Sequence, residues 1–387
     1  MGRANGEGTI YQRSDGKWCG QVTVGFNPKT GKQKRKSFYG DTKKEVTRKM
    51  TEFKHKMNIG EYIEPSNMKL SEWLERWLEG RKSTLAYNTF KSYKSKIKKH
   101  LNPVLGDISL KDLKARHIQE MLNHKLEHGK LNGKGGLAPV SVNLLYRILH
   151  AALEQAVKEN LLPSNPCKAV ETPKERNREM ETWNSQQVNK FLEAAEESKH
   201  HALFYIALNT GMRRGELIGL TWEDIDLDKQ KIEVKRQMVR TDNGLEFKEV
   251  KSEASKRTIP LTDNVVKFLK SHKIKQGEKK LSAGAAYNDR DLVFCNKAGH
   301  AIDSTNLNRE FKRVIERAKV PDIRFHDLRH TFATLFIENG GAIKTLQQIL
   351  GHTSVTITMD TYSHVTEEML SEAAQNIDEM YRVRSKK

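Results

Sequence analysis

Between residues 8 and 40 apolar and polar positions alternate in short runs, the period expected of half-buried strands. Runs over 8–13, 18–26 and 34–39 are separated by the turn residues Ser14-Asp15-Gly16 and Asn27-Pro28-Lys29-Thr30-Gly31. The pattern predicts a three-stranded antiparallel sheet. Asp41-Thr42 is placed to cap a helix over 43–57 that stops near Gly60, and residues 63–69, which contain Pro65, read as a linker.

From Leu70 the period becomes helical. Leu70, Trp73, Leu74 and Trp77 recur one turn apart, and a helix over 89–101 carries Phe90, Tyr93, Ile97 and Leu101 on one face, with Lys91, Lys94, Lys96, Lys98 and Lys99 elsewhere. Helices over 114–128 and 140–159 flank the glycine-rich loop 133–136, and Asn165-Pro166 ends a four-helix bundle. A second, highly charged linker spans 171–182. Beyond it the pattern predicts helices over 186–197 and 202–208, strands over 231–239, 245–250 and 257–261, then helices over 264–275, 306–318, 326–338, 343–350 and 367–381. The fold class is multidomain, mainly α with a small β component, divided into 1–62, 67–172, a linker at 173–182, and 183–387.

The 387 residues include 68 Lys and Arg against 49 Asp and Glu, a formal net charge of +19. Most of the excess lies in the first 175 residues. Such an imbalance favours a polyanion as partner, because each cation placed on a phosphate releases condensed counterions. Lys34 and Lys36 on the third strand and Lys91, Lys94 and Lys98 on the bundle are candidate phosphate contacts. The alternative for the strand lysines is protection of a sheet edge against aggregation. No run is long and apolar enough to span a bilayer and the first residues have no apolar signal core, so the expected location is the cytoplasm, with no membrane partner. Three widely separated cysteines, Cys19, Cys167 and Cys295, match neither a disulfide framework nor a zinc ribbon and read as free thiols.

Three segments of the back half carry candidate chemistry: Thr210-Gly211-Met212-Arg213-Arg214-Gly215-Glu216-Leu217, His326-Asp327-Leu328-Arg329-His330-Thr331, and Leu350-Gly351-His352 with Tyr362 ten residues on. Cutting a phosphodiester without a metal requires a nucleophile, fixed positive charge on the non-bridging oxygens and a proton for the departing alkoxide. Guanidinium suits the second task, since its planar fork donates two bonds to a phosphate and keeps its charge. A rival reading of the second segment, His326 and His330 as zinc ligands one helical turn apart, lacks a third ligand, has Asp327 where a longer glutamate base is needed, and sets Arg329 beside the cation. No metal and no cofactor are expected.

In order and spacing the three segments resemble the tyrosine recombinase, or phage integrase, family, and the sheet, bundle and back half together resemble the three-part integrases of temperate phages and conjugative transposons. The resemblance implies a mixed α+β catalytic domain in which Arg213 and Arg329 clamp the scissile phosphate, Tyr362 attacks it, and His326 and His352 hydrogen-bond it and assist proton transfer. It puts the reactive arginine of the first segment at Arg213, leaving Arg214 as a surface or backbone-phosphate contact, and Glu216 as a group that orients the clamp. It also implies a general-acid lysine in a β-hairpin between the first two segments. Lys251 fits best, with Lys248 and Lys256 as competitors. Tyr381, on the last helix, and His330 read as structural.

The activity so implied is site-specific recombination through a covalent 3′-phosphotyrosine and a Holliday junction, integrating and excising a mobile element without ATP. By the same resemblance residues 1–60 bind arm-type DNA sites, while the bundle and catalytic domain clamp a core-type site. Four protomers assemble on DNA, with the last helix either docking on a neighbouring protomer or packing on its own domain, and an excisionase or a host DNA-bending protein assists. A type IB topoisomerase shares the chemistry, but the front sheet argues against it. A DNA-binding regulator would leave the reactive set without a use.

Overall fold

The computed structural model describes residues 8–26, 31–58, 67–175, 181–250 and 255–351. The chain forms two compact units, Met1–Asn177 and Arg178–Lys387. The expected class is found: a front three-stranded sheet, a helical bundle, and a mixed α+β second unit.

In the first unit β1 (Thr9–Gln12), β2 (Trp18–Phe26) and β3 (Gln33–Gly40) pair antiparallel in chain order, with Trp18 opposite Gly40 and Phe26 opposite Gln33. Helix α1 (Lys43–Asn58) covers one face around Val22, Val46, Met50 and Phe53. A Cβ at Gly20 would lie 2.6 Å from Val46 Cγ1, so glycine is what lets α1 settle on β2. Strand alternation puts Lys36 with Phe38 on the covered face and Arg35 with Tyr39 on the open one. The Lys36 ammonium accordingly sits 4.5 Å from the centroid of the Phe53 ring, and Lys34 is half-buried.

A separate core holds α2 (Leu70–Gly80), α3 (Tyr87–Lys96), α4 (Asn102–Leu105), α5 (Ala115–His128) and α6 (Pro139–Lys158) together. Leu70, Trp73, Leu74, Trp77 and Leu78 form the buried stripe of α2, and the Trp73 indole donates to the Ala152 carbonyl at 2.9 Å. The helix expected to end at Leu101 continues instead through a π turn, Ile97–Leu101, into α4. Pro103 has no N–H to offer a preceding carbonyl, and the wider turn accommodates it. Phe90, Tyr93, Ile97 and Leu101 face the core as expected, and Lys91, Lys94 and Lys98 are exposed. Met68 and Lys69, which the linker run 63–69 and the division 67–172 both claim, belong to the bundle, since Leu110 N–H donates to Met68 O at 2.9 Å. Residues 171–175 lie along the bundle, with Glu171 N–H bound to Gln119 and the Asn143 amide bound to Pro173 O.

In the second unit α7 (Ser185–Ala195), α8 (His201–Thr210) and α9 (Arg214–Ile218) precede the strands β4 (Ile225–Asp226), β5 (Lys231–Val234), β6 (Arg236–Thr241), β7 (Gly244–Glu249) and β8 (Arg257–Pro260). Helices α10 (Asp263–Ala283), α11 (Ser304–Ala318), α12 (Asp327–Glu338) and α13 (Ile343–Leu350) follow. Trp183, Phe191, Phe204 and Phe311 form an aromatic cluster at the centre of its core. The single strand expected over 231–239 is two. β5 joins a sheet in the order β4-β5-β8, whereas β6 pairs with β7 in a separate ribbon that lies against α9. Gly219 permits this crossing, because a Cβ there would come within 2.6 Å of Met238 N. Helix α10 runs two turns past its expected end, through Gly277. The Gln276 side chain ties it down, donating to Leu292 O at 2.7 Å and accepting from the Trp222 indole at 2.8 Å, which offsets the poor helix propensity of glycine. All three cysteines are free thiols. The expected helix over 367–381 lies outside the described residues.

Candidate active site: three arginines at one helix end

Helix α8 ends at Gly211, whose φ of 60° is the left-handed conformation of a helix C-terminus. A Cβ there would meet Phe332 Cδ1 at 2.5 Å, so both backbone and space call for glycine. The chain then turns directly into α9, with Arg213 just ahead of the first helical residue and Glu216 in the first turn. Glu216 reaches back to accept from Arg213 N–H at 2.8 Å and from Arg213 Nη1 at 2.9 Å. This carboxylate is nearly inaccessible (2%), and it also receives both prongs of Arg257, Nη1 at 3.1 Å and Nη2 at 2.8 Å. Burial alone would raise its pKa. The Arg257 bonds and charge, with those of Arg213, outweigh burial and leave the pKa below the usual value.

The last carbonyls of α13 have no partner within the helix. Three guanidinium groups supply them: Arg257 Nε donates to Ile349 O at 2.5 Å, Arg329 Nη2 to Leu350 O at 2.6 Å and Arg213 Nη2 to Gly351 O at 3.3 Å. Cations at a helix C-terminus are further favoured by the helix dipole. Arg329 comes from α12 and is itself buried, and its Nη1 donates to Gly211 O at 2.8 Å. Arg213 differs in keeping 36% of its side chain accessible. The arrangement thus draws the first segment, β8, α12 and the end of α13 onto one point.

His326 stands immediately before α12, its ring perpendicular to that of His330 with centroids 5.3 Å apart. Desolvation, then the positive charge of Arg329, lowers the His326 pKa, and burial pushes His330 down to about 4. His326 lines a cleft of about 430 Å³ with Arg214, Asn308, Phe311, Lys312, Arg324 and Phe325. Arg214 points that way, donating to Asn308 Oδ1 at 3.2 Å rather than joining Arg213. Asp327 is held by Arg324, whose Nε and Nη2 lie 3.0 and 2.8 Å from its two oxygens. Among the described residues no group of three His, Cys, Asp or Glu could hold a metal.

The structure therefore brings Arg213, Arg329 and Glu216 together and sets His326 one helical turn ahead of Arg329. His352, Tyr362 and Lys251 lie outside the described residues. Of the competing lysines, Lys248 is exposed on β7, and the Lys256 ammonium lies 3.8 Å from Glu249. Arg257 was not singled out by its sequence context. The available signal was strand alternation: Arg257 shares a face with Ile259, which is 1% exposed, so the cation had to point inward.

Residues 181–369 match the phage integrase family, and residues 69–126 match the phage integrase N-terminal SAM-like domain. A relative described as tyrosine recombinase XerC-like, from Caldanaerobacter subterraneus subsp. tengcongensis, is 31% identical over 380 residues, covering 93% of this chain and 95% of the relative. The chain belongs to the phage integrase family of tyrosine recombinases. It is a site-specific DNA recombinase. Among solved structures, the Tn1549 transposon integrase in complex with transposon right end DNA superimposes with a TM-score of 0.68 at 21% identity, covering 80% of this recombinase and 100% of that chain. A lambda integrase tetramer bound to a Holliday junction gives 0.56 at 22% identity, covering 90% and 96%. At these identities the likeness is one of fold.

Proposed function

We propose that the three-arginine site is where the recombinase cuts and rejoins DNA, with Arg213 and Arg329 gripping the scissile phosphate and Tyr362 attacking it. One observation carries this reading. The two guanidiniums donate to adjacent carbonyls, Gly351 and Leu350, so two fixed charges converge on one small volume at the start of the segment that leads to His352 and Tyr362. In the cleavage step a bond forms between Tyr362 Oη and phosphorus while the bond from phosphorus to the 5′-oxygen breaks. His326 and His352 hydrogen-bond the phosphate and relay the phenol proton, and Lys251 protonates the departing 5′-oxygen. Neutral imidazole is favoured at His326 by its lowered pKa. A 5′-hydroxyl from the other duplex reverses the attack, so the phosphodiester energy is kept and no ATP is needed.

The exchange then proceeds through a Holliday junction held by four protomers, integrating or excising a mobile element. The bundle and the second unit grip the core-type site, with Lys91, Lys94 and Lys98 on phosphates, and the front sheet with Lys34 and Lys36 binds arm-type sites. The helix expected over 367–381 docks on a neighbouring protomer. An excisionase or host DNA-bending protein completes the assembly, in the cytoplasm of a bacterial cell.

Incubation with a nicked suicide substrate, followed by denaturing electrophoresis, tests the reading. A covalent species is expected with the unaltered chain and none with Tyr362→Phe. Persistence of the adduct in that variant would remove Tyr362 from the mechanism.

A further inference from the structure

We propose that Arg257 is a positioning residue of the recombinase, a buried strut that fixes the end of α13 against the phosphate clamp and so aligns the segment carrying the nucleophile. The inference rests on the reading of Arg213, Arg329 and Tyr362 given above. Arg257 already grips an anion in this arrangement, the Glu216 carboxylate, whereas Arg329 donates to the neutral carbonyls of Gly211 and Leu350. Its side chain is 4% exposed, and its donors are engaged by both oxygens of Glu216, by Ile349 O and by Ser255 O. Those acceptors belong to three separate stretches of chain. Glu216 holds Arg213 by its backbone N–H and its guanidinium, Ile349 lies three residues before His352, and Ser255 lies four residues after Lys251. One guanidinium therefore sets the relative placement of the clamp, the stretch that precedes the nucleophile in sequence, and the strand that follows Lys251 in sequence.

A buried ion pair is a poor way to gain stability alone, because desolvation of both charges cancels much of their attraction and apolar residues of equal volume often do as well. What the pair adds is direction. Glu216 presents one carboxylate to two arginines with different duties: Arg213 retains an accessible face, and Arg257 is sealed in. Removing Arg257 leaves Glu216 short of two bonds and free to pull Arg213 toward itself, while Ile349 O loses its donor and the last turn of α13 frays.

The test uses the full chain with Arg257→Lys and, should that variant fold poorly, Glu216→Gln, which keeps the acceptor shape and weakens the hold. Single-turnover formation of the covalent adduct is followed on the suicide substrate at saturating protein, alongside DNA affinity and thermal unfolding. A lysine ammonium cannot bridge Glu216 and Ile349 together. The adduct rate constant is expected to fall by about 100-fold, the scale of an ångström-sized misplacement, with amplitude and DNA affinity retained. In an Arg213→Lys background the same Arg257 change should cost much less, because both act on one arrangement. A merely structural Arg257 predicts the reverse: a lowered unfolding temperature and a smaller amplitude with an unchanged rate constant, or full additivity with Arg213→Lys. Either result overturns the inference. An adduct that survives Tyr362→Phe overturns the underlying reading instead, so the two failures are told apart.

Discussion

At the scale of single residues, arginine could be found from the sequence where it sits in a recognisable segment and was hidden where only burial reveals it. Arg213 and Arg329 stand in motifs with a fixed spacing. Arg257 stands in a strand among lysines, and its role depends on a partner forty-one positions away, Glu216. His200 is a second case. Its ring is 5% exposed, neither nitrogen has a hydrogen-bond partner, and it lines a cavity of about 480 Å³ with Leu203, Phe294 and Ile302. Burial, helped by Lys199, pushes its pKa down to about 4. An unfolded histidine titrates near ~6.5, so between that value and 4 the unfolded chain binds the extra proton. Folding stability is therefore complete above the unfolded pKa and declines as pH falls toward 4, by on the order of 3 kcal/mol for His200. Chemical denaturation of the protein at a series of pH values should show this slope, and His200→Phe should flatten it. An unchanged slope in the variant would mean that other groups, such as His330, carry the dependence.

At the scale of elements, helices with one apolar stripe were legible nearly to the residue; α13 occupies the expected 343–350. The discrepancies arise where tertiary contacts override the local signal. Anchoring by Gln276 carries α10 through Gly277, a π turn carries α3 past Pro103, and α9 draws β6 away from β5. None of these causes lies within a short window of sequence. The turn from α8 into α9 is the element on which the site depends most. Gly211→Ala places a methyl group in a left-handed backbone and against Phe332, and we expect a loss of about 2–3 kcal/mol in urea denaturation. A loss below about 0.5 kcal/mol would show that the turn tolerates a side chain. Adduct formation should fall as well, since Gly211 O is one of the anchors of Arg329.

At the scale of the whole molecule, the basic excess concentrates before residue 176, whereas the arginine cluster belongs wholly to the second unit. Composition made the first fact legible; of the second, motif spacing placed Arg213 and Arg329 but not Arg257. The edges inside the first unit were less so: Met68 and Lys69, claimed by both a linker run and the bundle, are bundle residues because a backbone bridge, not composition, decides where a domain starts. The division predicts separable effects. Replacing Lys91, Lys94 and Lys98 together by alanine should weaken DNA binding and reduce the slope of log affinity against log salt by about 2–3, while leaving the single-turnover adduct rate at saturating protein nearly unaltered. A slope unchanged by the triple replacement would take these lysines off the phosphate backbone. Holding three guanidiniums on three consecutive carbonyls knits the arginine cluster from segments of a single unit and leaves it little room to drift. On the proposed function the front half, which binds arm-type sites and shares the grip on the core-type site, is under no such constraint. Under that reading a lineage of such chains could vary its DNA contacts in the front half and inherit the scissors intact.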